Sequence, residues 1–190
     1  MDERIDEELV TAYINGENRA LEILVRRHIK PIFGFVFRYV GNVGDAEDIT
    51  QDIFVSIWKN IDKFDTSKKF KTWIFAIAKN ASLNWLRKKK PSTFSDVTKE
   101  GDEQQFDETI EDENPLPAEL FDRASLKEEL ESAIGKLNPR YQTALILHYK
   151  EELTFREIAE IENESVNTVK SRHLRAINKL RKILGVDAPK

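Results

Sequence analysis

The sequence predicts an all-α protein: two small helical domains, residues 7–90 and 123–185, joined by a flexible acidic linker at 91–122. Three observations lead there. Apolar residues recur at spacings of three and four on both sides of the linker, no strand alternation or long-period repeat is visible, and charge is segregated into blocks. The 190 residues, 40% hydrophobic and 34% charged, are enough for two modest cores. The net charge of −4 hides the segregation. Residues 66–90 hold eight Lys/Arg and no acid, 96–122 hold eleven acids and one Lys, and 165–182 hold six Lys/Arg and no acid. Two cationic blocks in a mildly acidic chain suggest a polyanion gripped at two places, with two solvated helix faces as the plain alternative.

In order along the chain, Ala20, Leu21, Leu24, Val25, His28, Ile29 and Ile32 form one helical stripe. Gly41–Gly44 reads as a turn, after which Asp45 caps a helix whose inner stripe is Ala46, Ile49, Ile53, Ile57 and Ile61. Asp62–Lys71 is polar and reads as a loop. Thr72 or Trp73 then opens a helix that ends near Lys89, before Pro91. Residues 91–122 contain three of the six prolines and the acidic excess, which suits a linker. Beyond it, Leu126, Leu130, Ile134 and Leu137 share a face. Asn138-Pro139 restarts a helix that reaches about Tyr149. Thr154-Phe-Arg-Glu157 is a capping box for a short helix, and Ser165 caps a longer one that runs to about Leu184.

Several function classes are excluded. Without Cys there is no disulfide or thiolate chemistry, and His28, His148 and His173 are too scattered to hold a metal, so no metal or cofactor is expected. No Gly-rich phosphate loop, His-Glu-x-x-His motif or Ser/His/Asp set appears, which argues against an enzyme. Apolar runs are too short for membrane insertion, and the acidic N-terminus has no signal-like apolar region, so the expected compartment is the cytoplasm.

The last two helices form a helix-turn-helix pattern. Ile158 and Ala159 can meet Val166 and Val169, with Ala176, Ile177 and Leu180 continuing inward, and His173 is expected in that core. Asn167, Thr168, Lys170, Ser171, Leu174 and Arg175 then face outward and suit base edges, while Arg172, Lys179, Arg181 and Lys182 suit phosphates.

On the helix before the linker, Ile74, Ile77, Ala78, Ala81 and Trp85 make a core stripe. Another face carries Ala76, Asn80, Leu83, Asn84 and Arg87, with Lys88 nearby. Aromatics that stack on bases, amides for base edges and cations for phosphates suit a single nucleic-acid strand, and Phe64–Lys71 could close around an extruded base. Core packing is the competing reading for Trp73 and the expected one for Trp85. On the helix after Gly44, Asp48, Gln51, Asp52 and Lys59 point outward, with Phe54, Val55 and Trp58 beside them, which suggests a protein-binding surface or a solvated face.

These three pieces, in this order, resemble a bacterial RNA polymerase sigma factor of the extracytoplasmic-function (ECF) group, over about 9–90 and 123–184. Gly-Asp-Ala-Glu-Asp-Ile-Thr-Gln-Asp-Ile-Phe-Val-Ser-Ile-Trp (44–58) is similar to the motif that docks on the polymerase clamp helices. Phe-Lys-Thr-Trp-Ile-Phe-Ala-Ile-Ala-Lys-Asn (70–80) is similar to the promoter-melting segment, and Leu153–Arg172 to the duplex-reading helix-turn-helix. The resemblance implies a region-two-like and a region-four-like domain, with core RNA polymerase (clamp helices and flap), duplex and single-stranded promoter DNA, and an anti-sigma factor as partners. It assigns Asp48, Gln51, Asp52, Phe54 and Trp58 to the clamp. Lys68, Lys69, Lys71, Trp73, Asn80, Asn84, Arg87 and Lys88 go to the minus-ten strand. Asn167, Thr168, Lys170, Ser171, Arg172, Leu174 and Arg175 go to the minus-thirty-five duplex. The sequence departs from the family pattern at Asn167, where many members carry Gly, and at Asp52, where Glu is usual. The implied function is that of a factor that directs polymerase to promoters, melts the minus-ten element and starts transcription. The alternative is a conventional helix-turn-helix regulator that binds duplex DNA without polymerase. The acidic linker either enters the polymerase's cationic cleft or serves as a solvated tether.

Overall fold

The computed structural model describes residues 2–89 and 124–185, with side chains in the second span from Glu129 onward. The expected linker at 91–122 therefore lies outside the described residues, as does the side chain of Leu126. The described residues are helical and fall into two compact units, one built on Met1–Pro91 and the other on most of the remainder.

In the first unit, α1 spans Asp6–Ile14, α2 Asn18–Val40, α3 Val43–Asn60 and α4 Phe70–Lys89, with a 3-10 turn at Ile61–Lys63. The long α2 is the hub and packs against the other three helices. It runs through Pro31, which has no N–H to donate to the Arg27 carbonyl. It stops at Gly41, whose φ of 69° is left-handed and whose N–H returns to the Phe37 carbonyl. Asn42, not Asp45, then caps α3: its side chain accepts from the Asp45 N–H at 3.0 Å. Gly44 is consequently already helical. The core is filled by Leu9, Val10, Leu24, Ile32, Phe35, Ile53, Ile57, Ile74 and Phe75, with Phe35 and Phe75 meeting edge to face at 5.3 Å. Ile29 departs from the expected stripe and is exposed.

An ionic clasp fixes α1 to α2. Asp6 accepts from Arg27 at 2.5 Å and lies 2.6 Å from His28 Nε2. Burial alone would raise the Asp6 carboxyl, but these two neighbours outweigh it and hold it below its ordinary value.

In the second unit, α5 spans Ala124–Gly135, α6 Pro139–Leu145, α7 Phe155–Glu162 and α8 Val166–Leu184. The helix begun at Pro139 widens into a π-helical turn at Ile146–Lys150 rather than ending near Tyr149 as a regular helix. Three starts follow the sequence. Asn138 accepts from the Arg140 N–H at 2.8 Å, Ser165 accepts from the Thr168 N–H at 3.0 Å, and Thr154 and Glu157 cap each other reciprocally. Leu130, Ile134, Leu137, Leu145, Ile146, Ala176, Ile177 and Leu180 form the core that seats α8.

Candidate nucleic-acid interface

On α8 the buried residues Val169, His173, Ala176, Ile177 and Leu180 repeat at spacings of three and four, so one side of the helix is committed to the core. His173 is buried as expected, its ring 5.0 Å from Phe155 and 5.1 Å from His148. Asn167, Thr168 and Lys170 are exposed near the start of the helix, while Ser171, Leu174 and Arg175 are half-buried. The Thr168 hydroxyl lies 2.8 Å from the Ser165 hydroxyl in the cap. The turn before α8 depends on Asn163, which takes a φ of 54° that Asn tolerates better than most side chains.

Two cations assigned to phosphates from the sequence have partners within the unit. Arg172 is half-buried and donates to Glu164 in the turn. Lys179 sits 4.8 Å above the Tyr141 ring. Arg172 is thus placed to brace the turn.

The loop before α4 is pre-shaped. Ser67 donates to the Asp65 carboxylate from its N–H (3.0 Å) and its hydroxyl (2.7 Å), and the Lys68 N–H donates to the Asp65 carbonyl at 2.9 Å. The Ser67 hydroxyl bond, backed by the N–H, draws the Asp65 carboxyl below its ordinary value. This turn sets Lys68 and Lys69 at the surface. Helix α4 starts at Phe70, two residues or more before the expected Thr72 or Trp73. The Phe70 N–H donates to Glu7 of α1 at 2.7 Å. Trp73 is half-buried against Phe64 and Phe70, with ring centroids at 5.1 and 5.7 Å, while Lys71, two residues earlier, is also half-buried.

Along the rest of α4, Ile74, Phe75, Ala78 and Ser82 are buried, whereas Asn80, Asn84, Arg87 and Lys88 are exposed. These four recur at spacings of three and four, which places amides and cations in one band. Ile77 and Ala81 are only partly buried, and the expected core residue Trp85 is half-exposed. The Lys89 ammonium lies 4.5 Å over the Trp85 ring and pairs with Asp45 of α3 at 2.7 Å.

On α3, Ala46, Ile49, Ile53 and Ile57 are buried, and Asp48, Gln51 and Asp52 are exposed. Phe54 is half-buried, but Val55 and Trp58 are 46% and 56% exposed, an unusual display of apolar surface. The Trp58 Nε1–H donates to the Tyr13 hydroxyl at 3.0 Å, which fixes the ring while leaving its face open.

The sequence reading missed Glu7, Asp45 as the partner of Lys89, and Glu164. None of the three lies in a cation-rich segment. The one available signal was at Lys69, which precedes a helix and offers no acceptor to cap it.

Comparison with known proteins gives a consistent placement. Residues 24–92 match the Sigma-70 region 2 family and residues 127–180 match Sigma-70 region 4. The chain is 36% identical over 171 residues to the ECF RNA polymerase sigma factor SigW of Bacillus subtilis, covering 89% of this chain and 91% of that one. It is 33% identical over 187 residues to the RNA polymerase sigma-H factor of Pseudomonas aeruginosa, covering 94% and 93% respectively. Among solved structures, CnrH in complex with the cytosolic domain of CnrY aligns at a TM-score of 0.65 and 23% identity, covering 96% of this chain and 99% of that one. The sigma factor RpoE of Bartonella quintana, solved with the anti-sigma factor NepR, aligns at 0.63 and 22%, covering 88% and 98%. A helix-turn-helix unit and a second helical unit with an amide-and-cation band thus occur in one chain that matches both sigma regions, and the chain belongs to the ECF RNA polymerase sigma factors.

Proposed function

We propose that the two units divide promoter recognition between them. The observation that carries this reading is the two-sided α4: Ile74, Ala78 and Ser82 face the core, while Asn80, Asn84, Arg87 and Lys88 lie in solvent. A conventional regulator needs only its helix-turn-helix and has no use for a second cationic surface on another unit. On this reading Asn80 and Asn84 address unstacked bases of the minus-ten strand. Arg87, Lys88 and the loop cations Lys68 and Lys69 follow its phosphates, Lys71 supports them, and Trp73 borders the site as a stacking face.

The second unit anchors upstream. Asn167, Thr168, Lys170, Ser171, Leu174 and Arg175 read the minus-thirty-five duplex, and Arg172 holds the turn that aims them. On α3, the carboxylates of Asp48 and Asp52, with Gln51, Phe54 and Trp58, form the polymerase-facing surface. An exposed indole beside acids suits a helical partner carrying both cations and apolar side chains. Residues 7–90 and 123–185 are taken as the working domains, joined through the acidic segment 91–122.

The chain contributes binding energy and no bond-making chemistry, the polymerase being the enzyme. Among the described residues no helix is long and apolar enough to cross a membrane, and the site of action is the cytoplasm, where the polymerase works. A repressing partner of the anti-sigma kind, as in the Bartonella complex, would act by masking the α3 or α4 surface.

The test is template use by the reconstituted holoenzyme. Asn80→Ala should slow open-complex formation several-fold on duplex promoter and much less on a template already melted across the minus-ten element, where unstacking costs nothing. Equal rates for variant and wild type on duplex would refute the assignment.

A further inference from the structure

The N-terminus of α4 is capped from another helix. Lys69, the residue before it, has no side-chain acceptor. The Phe70 N–H donates instead to Oε1 of Glu7, 63 positions earlier in the chain. A carboxylate there also opposes the positive end of the helix dipole.

Glu7 is firmly placed. Its helix buries Leu9 and Val10 completely, its neighbour Asp6 is clasped by Arg27 and His28, and the Ile5 N–H is held by Glu8 at 3.0 Å. Phe70 in turn contacts Phe64 and Trp73, the residues that bound the Lys68–Lys69 loop and open the helix. The segment that matches Sigma-70 region 2 begins at residue 24, so α1 lies outside it.

We propose that Glu7 is a positioning residue for strand capture: its carboxylate anchors the first turn of α4, and with it the Lys68–Lys69 loop and Trp73. This rests on the reading of α4 as the strand-capturing helix. Without the acceptor the first turn frays, and the capture surface must be ordered at the moment the strand arrives, when melting already has to be offset.

The test uses the full chain with bacterial core polymerase, on duplex promoter and on the same promoter pre-melted across the minus-ten element. Glu7→Ala should slow open-complex formation on duplex by about tenfold, the scale of a lost cap, with a smaller effect on the pre-melted template and unchanged polymerase affinity. Glu7→Gln, whose amide oxygen still accepts, should recover most of the rate. A wild-type rate in Glu7→Ala, an equal loss on both templates, or no rescue by Gln overturns the proposal. Should Glu7→Ala unfold, Glu7→Asp keeps the charge and loses the reach: exchange of the Phe70 amide should quicken in it, and unchanged protection overturns the assignment. Asn80→Ala separates this proposal from the reading beneath it. If Asn80→Ala is selective for duplex and Glu7→Ala is not, only the role of Glu7 falls; if neither is selective, the reading of α4 falls as well.

Discussion

Arg172 of the helix-turn-helix donates to the Glu164 carboxylate in the turn, so a cation on α8 is committed inside its own unit. The pair joins the second turn of α8 to the residue just before its Ser165 cap. It therefore ties α8 to the turn that immediately precedes Asn167, Thr168 and Lys170.

Arg172→Ala should accordingly cost stability. It leaves a partly buried carboxylate unpaired, and about 1–3 kcal/mol should be lost from the unfolding free energy of the second unit. Lys170→Ala, on an exposed side chain, should change stability by less than about 0.5 kcal/mol yet weaken use of the upstream element. Denaturant unfolding with run-off assays on upstream variants checks both. Equal stability in the two variants would return Arg172 to the phosphate contacts.

Arg175→Ala tests base reading at the same surface. Its loss should lower holoenzyme affinity selectively, by about 1–3 kcal/mol on promoters that carry the base it reads and little on others, with the salt dependence nearly unchanged. A uniform loss on all sequences, with the slope of log affinity against log salt flattened by roughly 0.9, would instead mark it as a phosphate contact.

Trp58→Ala should separate partner binding from folding. The indole is more than half exposed, and its N–H donates to the Tyr13 hydroxyl. We expect core-polymerase affinity to fall about tenfold or more, as for an exposed aromatic anchor, with little change in thermal midpoint. Undiminished affinity in a competition binding assay would remove α3 from the polymerase surface.

Part of the acid sensitivity should rest on Asp6, the half-buried member of the ionic clasp. Burial opposes its charge, but His28 and Arg27 hold its carboxyl below the ordinary value. A carboxylate lowered in the native state stabilises the fold above its unfolded value, near pH 4, and loses that contribution as pH falls through the lower native value. In Asp6→Asn, the unfolding free energy should be lower near neutrality and decline less steeply below about pH 4. Parallel pH profiles for variant and wild type would assign the acid sensitivity elsewhere.

What could be read in advance follows the range of the interactions. The caps at Asn138, Thr154 and Ser165 were legible because donor and acceptor lie within three residues of each other. At α3 the right pair was in view with the roles reversed: Asn42 accepts and Asp45 donates its N–H. The start of α4 was misplaced because its acceptor, Glu7, is on another helix. The inner face of α4 was misjudged for a chemical reason. Ser82 is fully buried with its hydroxyl satisfied by the Ala78 carbonyl at 2.8 Å, so a polar residue holds the inner position that apolar counting gave to Ala81. Trp85 is left at the rim beneath Lys89. The outward faces were legible even where the inner stripe was not, and Asp48, Gln51, Asp52, Asn80, Asn84, Asn167 and Lys170 all emerge exposed.

On the proposed reading, one helical unit captures separated promoter DNA while the other grips the intact duplex, both carried by polymerase. The most direct test is run-off transcription by bacterial core polymerase with the purified chain on a promoter library. Initiation is expected at a restricted set of promoters sharing an upstream and a minus-ten element, and is abolished when either element is scrambled. Failure to associate with core polymerase, or initiation indifferent to both elements, would contradict it.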